Sequence, residues 1–152
     1  MFHQVLIRKA DQDAQRFLWS SSLEPEAVPD EYVMQVMTFG ARCSPSISQL
    51  VKNRNAEEFR AQFPEATEAI IKNHYVDDLL YSNDNHEDII RIAKEIVYIH
   101  QEGGFEMRGF VSNSQEVMNG LGGSPETFES VKVFKTEVDS PDANEMVFLI
   151  KT

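Results

Sequence analysis

Residues 73–82 read NHYVDDLLYS, two short extended runs broken by the adjacent carboxylates Asp77 and Asp78. Adjacent like charges repel and are costly to desolvate, whereas aspartate is a favoured turn residue. The stretch therefore reads as a tight β-hairpin between two helices: Asn73 to Val76 extend, Leu79 to Tyr81 extend back, and the two carboxylates sit at the tip. The residues alone leave two readings of that pair open. It is either a solvated turn or a set of oxygen ligands for a divalent cation such as Mg2+ or Mn2+, which removes the conflict between the charges.

The apolar pattern on either side gives an alternation of strands and helices. MFHQVLI and QRFLW are β-like runs, SSSLEPEAVPDE is a polar, proline-containing loop, and EYVMQVMTF is apolar on both faces and reads as a buried strand. A helix is expected after that strand, with Ser44 as its N-cap, Pro45 at the first helical position and Ile47, Leu50 and Val51 as its inward stripe. A second helix is expected from near Pro64 through Ile70 and Ile71. A third is capped by Asp84 or Asn85, has Glu87 and Asp88 in its first turn, presents Ile89, Ala93, Ile96 and Val97 on one face, and ends at Gly103. FEMRGFVSN reads as a strand, NGLGGSPE as a loop, and VKVFKTEV with EMVFLIKT as a hairpin around SPDAN. Phe59, Phe63, Phe105 and Phe110 are assigned to the core.

A chain of 152 residues with 41% hydrophobic content can bury one moderate core. Its charge is uneven: residues 1–60 hold seven Lys or Arg against eight acids, and residues 61–152 hold seven against seventeen, so the second half carries nearly all of the net −11. That balance argues against a free-standing nucleic-acid binder, because phosphate contacts dominate such affinity. The single cysteine, Cys43, excludes an internal disulfide framework, fits a reducing compartment and reads as a small packing residue. No apolar run approaches membrane-spanning length and the N-terminus lacks the apolar segment of a signal peptide, so an intracellular, cytoplasmic protein without a membrane partner is expected.

Other candidate sites read as structural. His86, Glu87 and Asp88 point in different directions from one helical turn. His74 reads as a partly exposed strand residue, and His3 and His100 have no partner at metal-ligand spacing. GLGGSP lacks the lysine of a phosphate-binding loop, and Ser44 is not in a G-x-S-x-G elbow.

Tyr75-Val76-Asp77-Asp78 resembles the Y-x-D-D motif of reverse transcriptases, in which a hairpin presents metal-binding aspartates. FGARCSP at 39–45 resembles the family segment in which a glycine lies four residues before a Ser-Pro that starts a helix. GGFEMRGFVSNS after the third helix resembles the next motif of the palm, and MFHQVLIRKADQDAQRFLW resembles the family segment just after the first catalytic aspartate. The wording of these segments is similar to Bel/Pao-type LTR retrotransposon polymerases. The resemblance covers roughly residues 1–118. It implies an α+β fold, a partial reverse-transcriptase palm whose antiparallel sheet has helices packed on one face, with a linker and a divergent C-terminal hairpin at 119–152.

The resemblance also implies roles. Asp77 is expected as the main carboxylate bridging Mg2+ or Mn2+, and Asp78 as a weaker or structural ligand. Phe2 is expected under the nucleotide sugar, excluding a 2′-hydroxyl, and Gly40 where the backbone approaches nucleotide or template. Ser44 and Pro45 start the helix behind that loop, Phe39 stands where many retroviral enzymes carry Gln, and Tyr75 belongs to the motif itself. Template-primer of RNA or DNA and a deoxynucleoside triphosphate are the partners of the intact enzyme. In the family the first metal-binding Asp lies a few residues before the MFHQ stretch, and this chain begins at Met1. Asp11 and Asp13 come after the first strand and do not fill that role. VKVFKTEV stands where the family has a Leu-Gly-Leu and tryptophan segment that holds the primer. The expectation is a fragment of an RNA-directed DNA polymerase that is inactive alone, holds its metal weakly and binds nucleic acid weakly or not at all. The alternative is a non-catalytic, transposon-derived protein that acts through protein contacts.

Overall fold

Among the described residues, the first apolar run, MFHQVLI, pairs as β-structure at one isolated bridge, Leu6 with Val36, flanked by hydrogen bonds from Ile7 N to Gln35 O and from Met37 N to Val5 O, both 2.9 Å. It is not the expected strand. Phe2–Gln4 coil into a 3-10 turn that carries the Phe2 ring inward, and a second 3-10 helix occupies Lys9–Gln15. The computed structural model describes residues 2–24, 26–107, 109–122 and 146–151. The chain divides into two compact units, Met1–Ser48 and Gln49–Thr152.

In the first unit, β1 (Arg16–Trp19) and β2 (Asp30–Val33) form an antiparallel ribbon with Arg16 opposite Val33 and Trp19 opposite Asp30. Arg16 ties the ribbon to its flank through ion pairs with Asp13 and Glu31. EYVMQVMTF contributes only its first residues to β2, and these are exposed or half-buried, contrary to the buried strand expected. A two-stranded ribbon has no covering layer of its own. Phe17, Leu18, Trp19 and Tyr32 accordingly stay exposed, with Phe17 and Tyr32 stacked at 5.6 Å.

Helix α1 spans Ser44–Glu58. Its first turn closes from Ile47 N onto Cys43 O at 2.9 Å, so the helix starts one residue earlier than expected and Ser44 lies within it. The Ser44 hydroxyl donates to Thr38 O at 2.7 Å and does not cap. The inward face also differs. Ile47, Leu50 and Val51 are exposed, while Ser44, Ser48, Lys52 and Ala56, each four residues from the last, are buried. The reason is hydrogen bonding: Ser44 and Lys52 on this face both donate to backbone carbonyls. Cys43 is exposed and packs no core.

The second unit continues with α2 (Pro64–Asn73), β3 (His74–Tyr75), β4 (Asp78–Asn83), α3 (His86–Glu102), β5 (Phe110–Ser112), α4 (Gln115–Gly120) and β6 (Met146–Lys151). The strands form one antiparallel sheet in the order β3-β4-β6-β5. The Asn85 side chain accepts from Glu87 N and Asp88 N and caps α3, with both acids at the positive end of the helix dipole. Ile89, Ala93 and Ile96 are buried as expected, joined by Ile92, Ile99 and His100, while Val97 is half-buried at the flank of that face. The helix ends as expected at Gly103. Gly104 N bonds Gln101 O and Phe105 N bonds His100 O, a Schellman closure that places Gly104 at φ +74°. This closure uses the start of FEMRGFVSN, so the strand expected there shrinks to Phe110–Ser112 and Phe105 turns into the core.

EMVFLIKT forms β6, which pairs with β4 from Asn83–Met146 to Asp78–Lys151 and with β5 over Phe148–Ile150. Its expected hairpin partner, 131–138, lies outside the described residues. On β4, Leu79 is buried among Ile70, Ile89, Ile92, Ile96 and Val117, whereas Leu80 on the opposite face is exposed. The fold is α+β, an antiparallel sheet with its helices on one face. Ile96→Ala should cost about 2–5 kcal/mol and Asn85→Ala about 1 kcal/mol. Leu50→Ala should stay within about 0.5 kcal/mol. Urea unfolding of the three variants checks this, and a large loss at Leu50 would restore the apolar stripe of α1.

Candidate active site

Helix α2 ends at Asn73 and β3 begins at His74, so the hairpin leaves the helix without a linker. Val76 and Asp77 make the turn, with Tyr75 opposite Asp78 and His74 opposite Leu79. The turn thus sits one residue earlier than the carboxylate pair, and Asp78 is already the first residue of β4. Val76 has φ 51°, in the left-handed region, and two-residue hairpin turns use a positive φ at their first position because it matches the twist of the strands they join. A β-branched residue in that region stores strain of about 1–3 kcal/mol and persists only where the surroundings fix it.

Alternation along the strands sorts the hairpin into two faces. Tyr75 and Asp78 point outward and are exposed, Asp77 is half-buried in the turn, and His74 and Leu79 point inward and are buried. His74 is therefore not the partly exposed residue expected, because its cross-strand partner is a core leucine. The two carboxylates are hard oxygen donors of the kind that suit Mg2+ or Mn2+. Among the described residues no group of three or more His, Cys, Asp or Glu converges to hold a metal. Among the described residues the pair offers two carboxylate ligands.

Beneath the hairpin lies a basic cluster that the sequence did not reveal. Gln49 Nε2 donates to His74 O at 3.3 Å, and Lys52 Nζ donates to Ile70 O at 2.8 Å. The His74 and His100 rings lie 5.2 Å apart, and His100 Nδ1 meets Ile96 O at 2.8 Å. Burial pulls the Lys52 ammonium down to about 8. Burial, reinforced by Lys52 and His100, pushes His74 down to about 3. Burial also lowers His100 to about 4, partly opposed by its bond to Ile96. At neutral pH Lys52 carries the one charge of the three. The four-residue spacing of Ser44, Ser48, Lys52 and Ala56 was the available signal for this inward polar face.

The remaining residues of interest belong to the first unit. Phe2 is buried with its ring edge-on to Phe39 at 4.9 Å, and Phe39 is exposed. Gly40 has φ +88° with open space where a side chain would stand. Ser44 holds the loop through Thr38 O, and Pro45 comes next in α1. Phe2, Phe39, Gly40, Ser44 and Pro45 thus share one unit, and Tyr75, Asp77 and Asp78 share the other. His86 bonds Glu116 and Ser114 Oγ, each at 3.0 Å, and ties α3 to α4.

Residues 1–108 match the family described as reverse transcriptase (RNA-dependent DNA polymerase). The chain belongs to the reverse transcriptase family. Over 97 residues it is 29% identical to the Gag-Pol polyprotein of Rous sarcoma virus subgroup C (strain Prague), an alignment that covers 63% of this chain and 6% of the polyprotein. The same figures hold for the Gag-Pol polyproteins of Rous sarcoma virus subgroup B (strain Schmidt-Ruppin) and avian leukosis virus subgroup A (isolate RSA). The chain therefore spans about 6% of the length of these curated relatives. No solved structure matches it significantly. The reverse transcriptase region includes α1, the hairpin and α3, while β5, α4 and β6 lie beyond it.

The two histidines make the domain acid-sensitive. Both are held below their ordinary value of 6.5, so the unfolded chain takes up protons that the folded chain refuses. Their contribution is intact above pH 6.5 and is lost as pH falls toward 4 and then 3. The loss should be on the order of 2 kcal/mol per histidine between about pH 6.5 and 5. Urea midpoints across that window check it, and His74→Phe should flatten the slope.

Proposed function

We propose that this chain is the palm portion of a retroelement RNA-directed DNA polymerase, of the Bel/Pao type by motif, and that Asp77 and Asp78 are carboxylates of its nucleotidyl-transfer site. The observation that carries the reading is the strained two-residue turn, inside the reverse transcriptase region, that sets this pair at the outer end of the hairpin. Asp77 and Asp78 would help hold the divalent cations, which when bound would supply activation of the attacking oxygen and stabilisation of the leaving one. Asp77, in the turn, is the main ligand, and Asp78, on the strand, is the weaker or structural one. Tyr75 offers its exposed ring to nucleotide or template beside them.

In this reading the loop that ends at Ser44 faces the nucleotide, by its resemblance to the family segment. Phe2, braced against Phe39, lies under the sugar and excludes a 2′-hydroxyl. Phe39 makes an apolar contact where many retroviral enzymes use Gln, and Gly40 admits nucleotide or template to the backbone because no Cβ intervenes. Ser44 and Pro45 hold the loop at the start of α1. Template-primer and deoxynucleoside triphosphate are the partners of the whole enzyme. The acidic residues 1–152 alone have little affinity for phosphate.

Calorimetric titration with Mn2+ should detect weak binding that Asp77→Asn removes, and equal binding by both proteins would take Asp77 out of the site. Two-metal chemistry needs carboxylates from separate strands, and orientation alone is worth about 7–11 kcal/mol. Purified 1–152 should therefore show no primer extension on RNA or DNA templates, even with Mn2+. Incorporation that disappears in Asp77→Ala would show that another acid, Asp11 or Asp13, completes the site.

A further inference from the structure

Helix α2 runs straight into β3, so whatever fixes the last turn of α2 also fixes the direction in which the hairpin leaves it. Two side chains of α1, one turn apart on the same face, bind on either side of that joint. Lys52 Nζ donates to Ile70 O at 2.8 Å, and Gln49 Nε2 donates to His74 O at 3.3 Å. Ile70 is among the last four residues of α2. Its carbonyl therefore lies toward the negative end of the helix dipole.

We propose that Lys52, seconded by Gln49, is a positioning residue for the carboxylate hairpin, clamping the α2–β3 joint so that residues 74–79 hold Asp77 and Asp78 in one place. Calling the hairpin a site rests on the proposed nucleotidyl-transfer function; the clamp itself does not. Among the described residues no carboxylate forms an ion pair with this buried ammonium. The groups that face it are the Ile70 carbonyl from α2, His74 from β3 and His100 from α3. An unpaired buried cation is costly, and an apolar side chain would fill the volume without that cost. What the ammonium adds is a charge-assisted bond to the joint.

The clamp has a pH signature that simple packing lacks. Burial holds Lys52 near 8, below its ordinary 10.5. Between those values the unfolded chain binds a proton that the folded chain has released, so global stability rises with pH. Over the same range the bond to Ile70 loses its charge, and the hairpin should loosen while the rest of the domain tightens. The histidines stay neutral throughout.

Amide hydrogen exchange of the purified chain, monitored by NMR from pH 6.5 to 9.5 and corrected for intrinsic rates, tests this. Protection of the 74–79 amides should fall about tenfold relative to Ile92–Ile99 of α3, with a midpoint near pH 8. Lys52→Met should loosen the hairpin at every pH and abolish the step, and Lys52→Arg should keep protection without a step. A constant ratio in the wild type, or an unchanged step in Lys52→Met, would overturn the clamp. If Lys52→Met does not fold, the wild-type profile and Lys52→Arg decide. A step that persists in Asp77→Asn supports the clamp even where Mn2+ binding does not depend on Asp77, in which case the metal reading alone falls.

Discussion

The bond from Lys52 Nζ to Ile70 O is the strongest member of a set on which the second unit depends. Ile70 and Ile99, in the last turns of α2 and α3, are buried, and their carbonyls face donors from another helix. Helix α1 supplies them. Gln49 reaches His74 O, Lys52 reaches Ile70 O and Asn55 reaches Ile99 O at 2.7 Å, while Thr67 returns a bond from α2 to Ala56 O. A helix that turns Ser48 and Lys52 inward and leaves Leu50 in solvent contradicts simple amphipathic logic. It is consistent once the inward face is understood as a row of donors for two helix ends and a strand.

From that anchorage the hairpin inherits its geometry. Its inner pair, His74 and Leu79, is held in the core, and its outer pair, Tyr75 and Asp78, is presented to solvent. The unfavourable φ of Val76 between them is tolerated because both strands are fixed, β3 by α1 and β4 by six registered pairs with β6. A segment outside the reverse transcriptase match therefore completes the sheet that carries the carboxylates. The histidines behind the turn are neutral because they are buried beside a lysine, so this cluster contributes one positive charge, at the helix terminus where it is most useful.

Much of this was legible in the residues. Asn85 and Gly103 bounded α3 through cap chemistry that is local to a few residues, and Ile89, Ala93 and Ile96 marked its inner face because the helical period is visible in a long run. The carboxylate hairpin was legible because adjacent charges have few places to go. Where the apolar pattern was short, the reading failed. MFHQVLI and EYVMQVMTF have the composition of strands, yet among the described residues one makes a single bridge and the other an exposed ribbon, since a strand needs a neighbour that its own residues do not specify.

What the sequence determined by itself is therefore what local chemistry encodes: a capped apolar helix, a tight turn around Asp77, a helix start around Pro45, and an acidic balance of charge. Only the tertiary structure decided that α1 faces inward with Ser48 and Lys52, that His74 and His100 meet at 5.2 Å, and that the last strand enters the middle of the sheet. Each of these depends on carbonyls and strand edges contributed by residues far along the chain. Their need for partners does not exist until the helices and strands that carry them have been brought together.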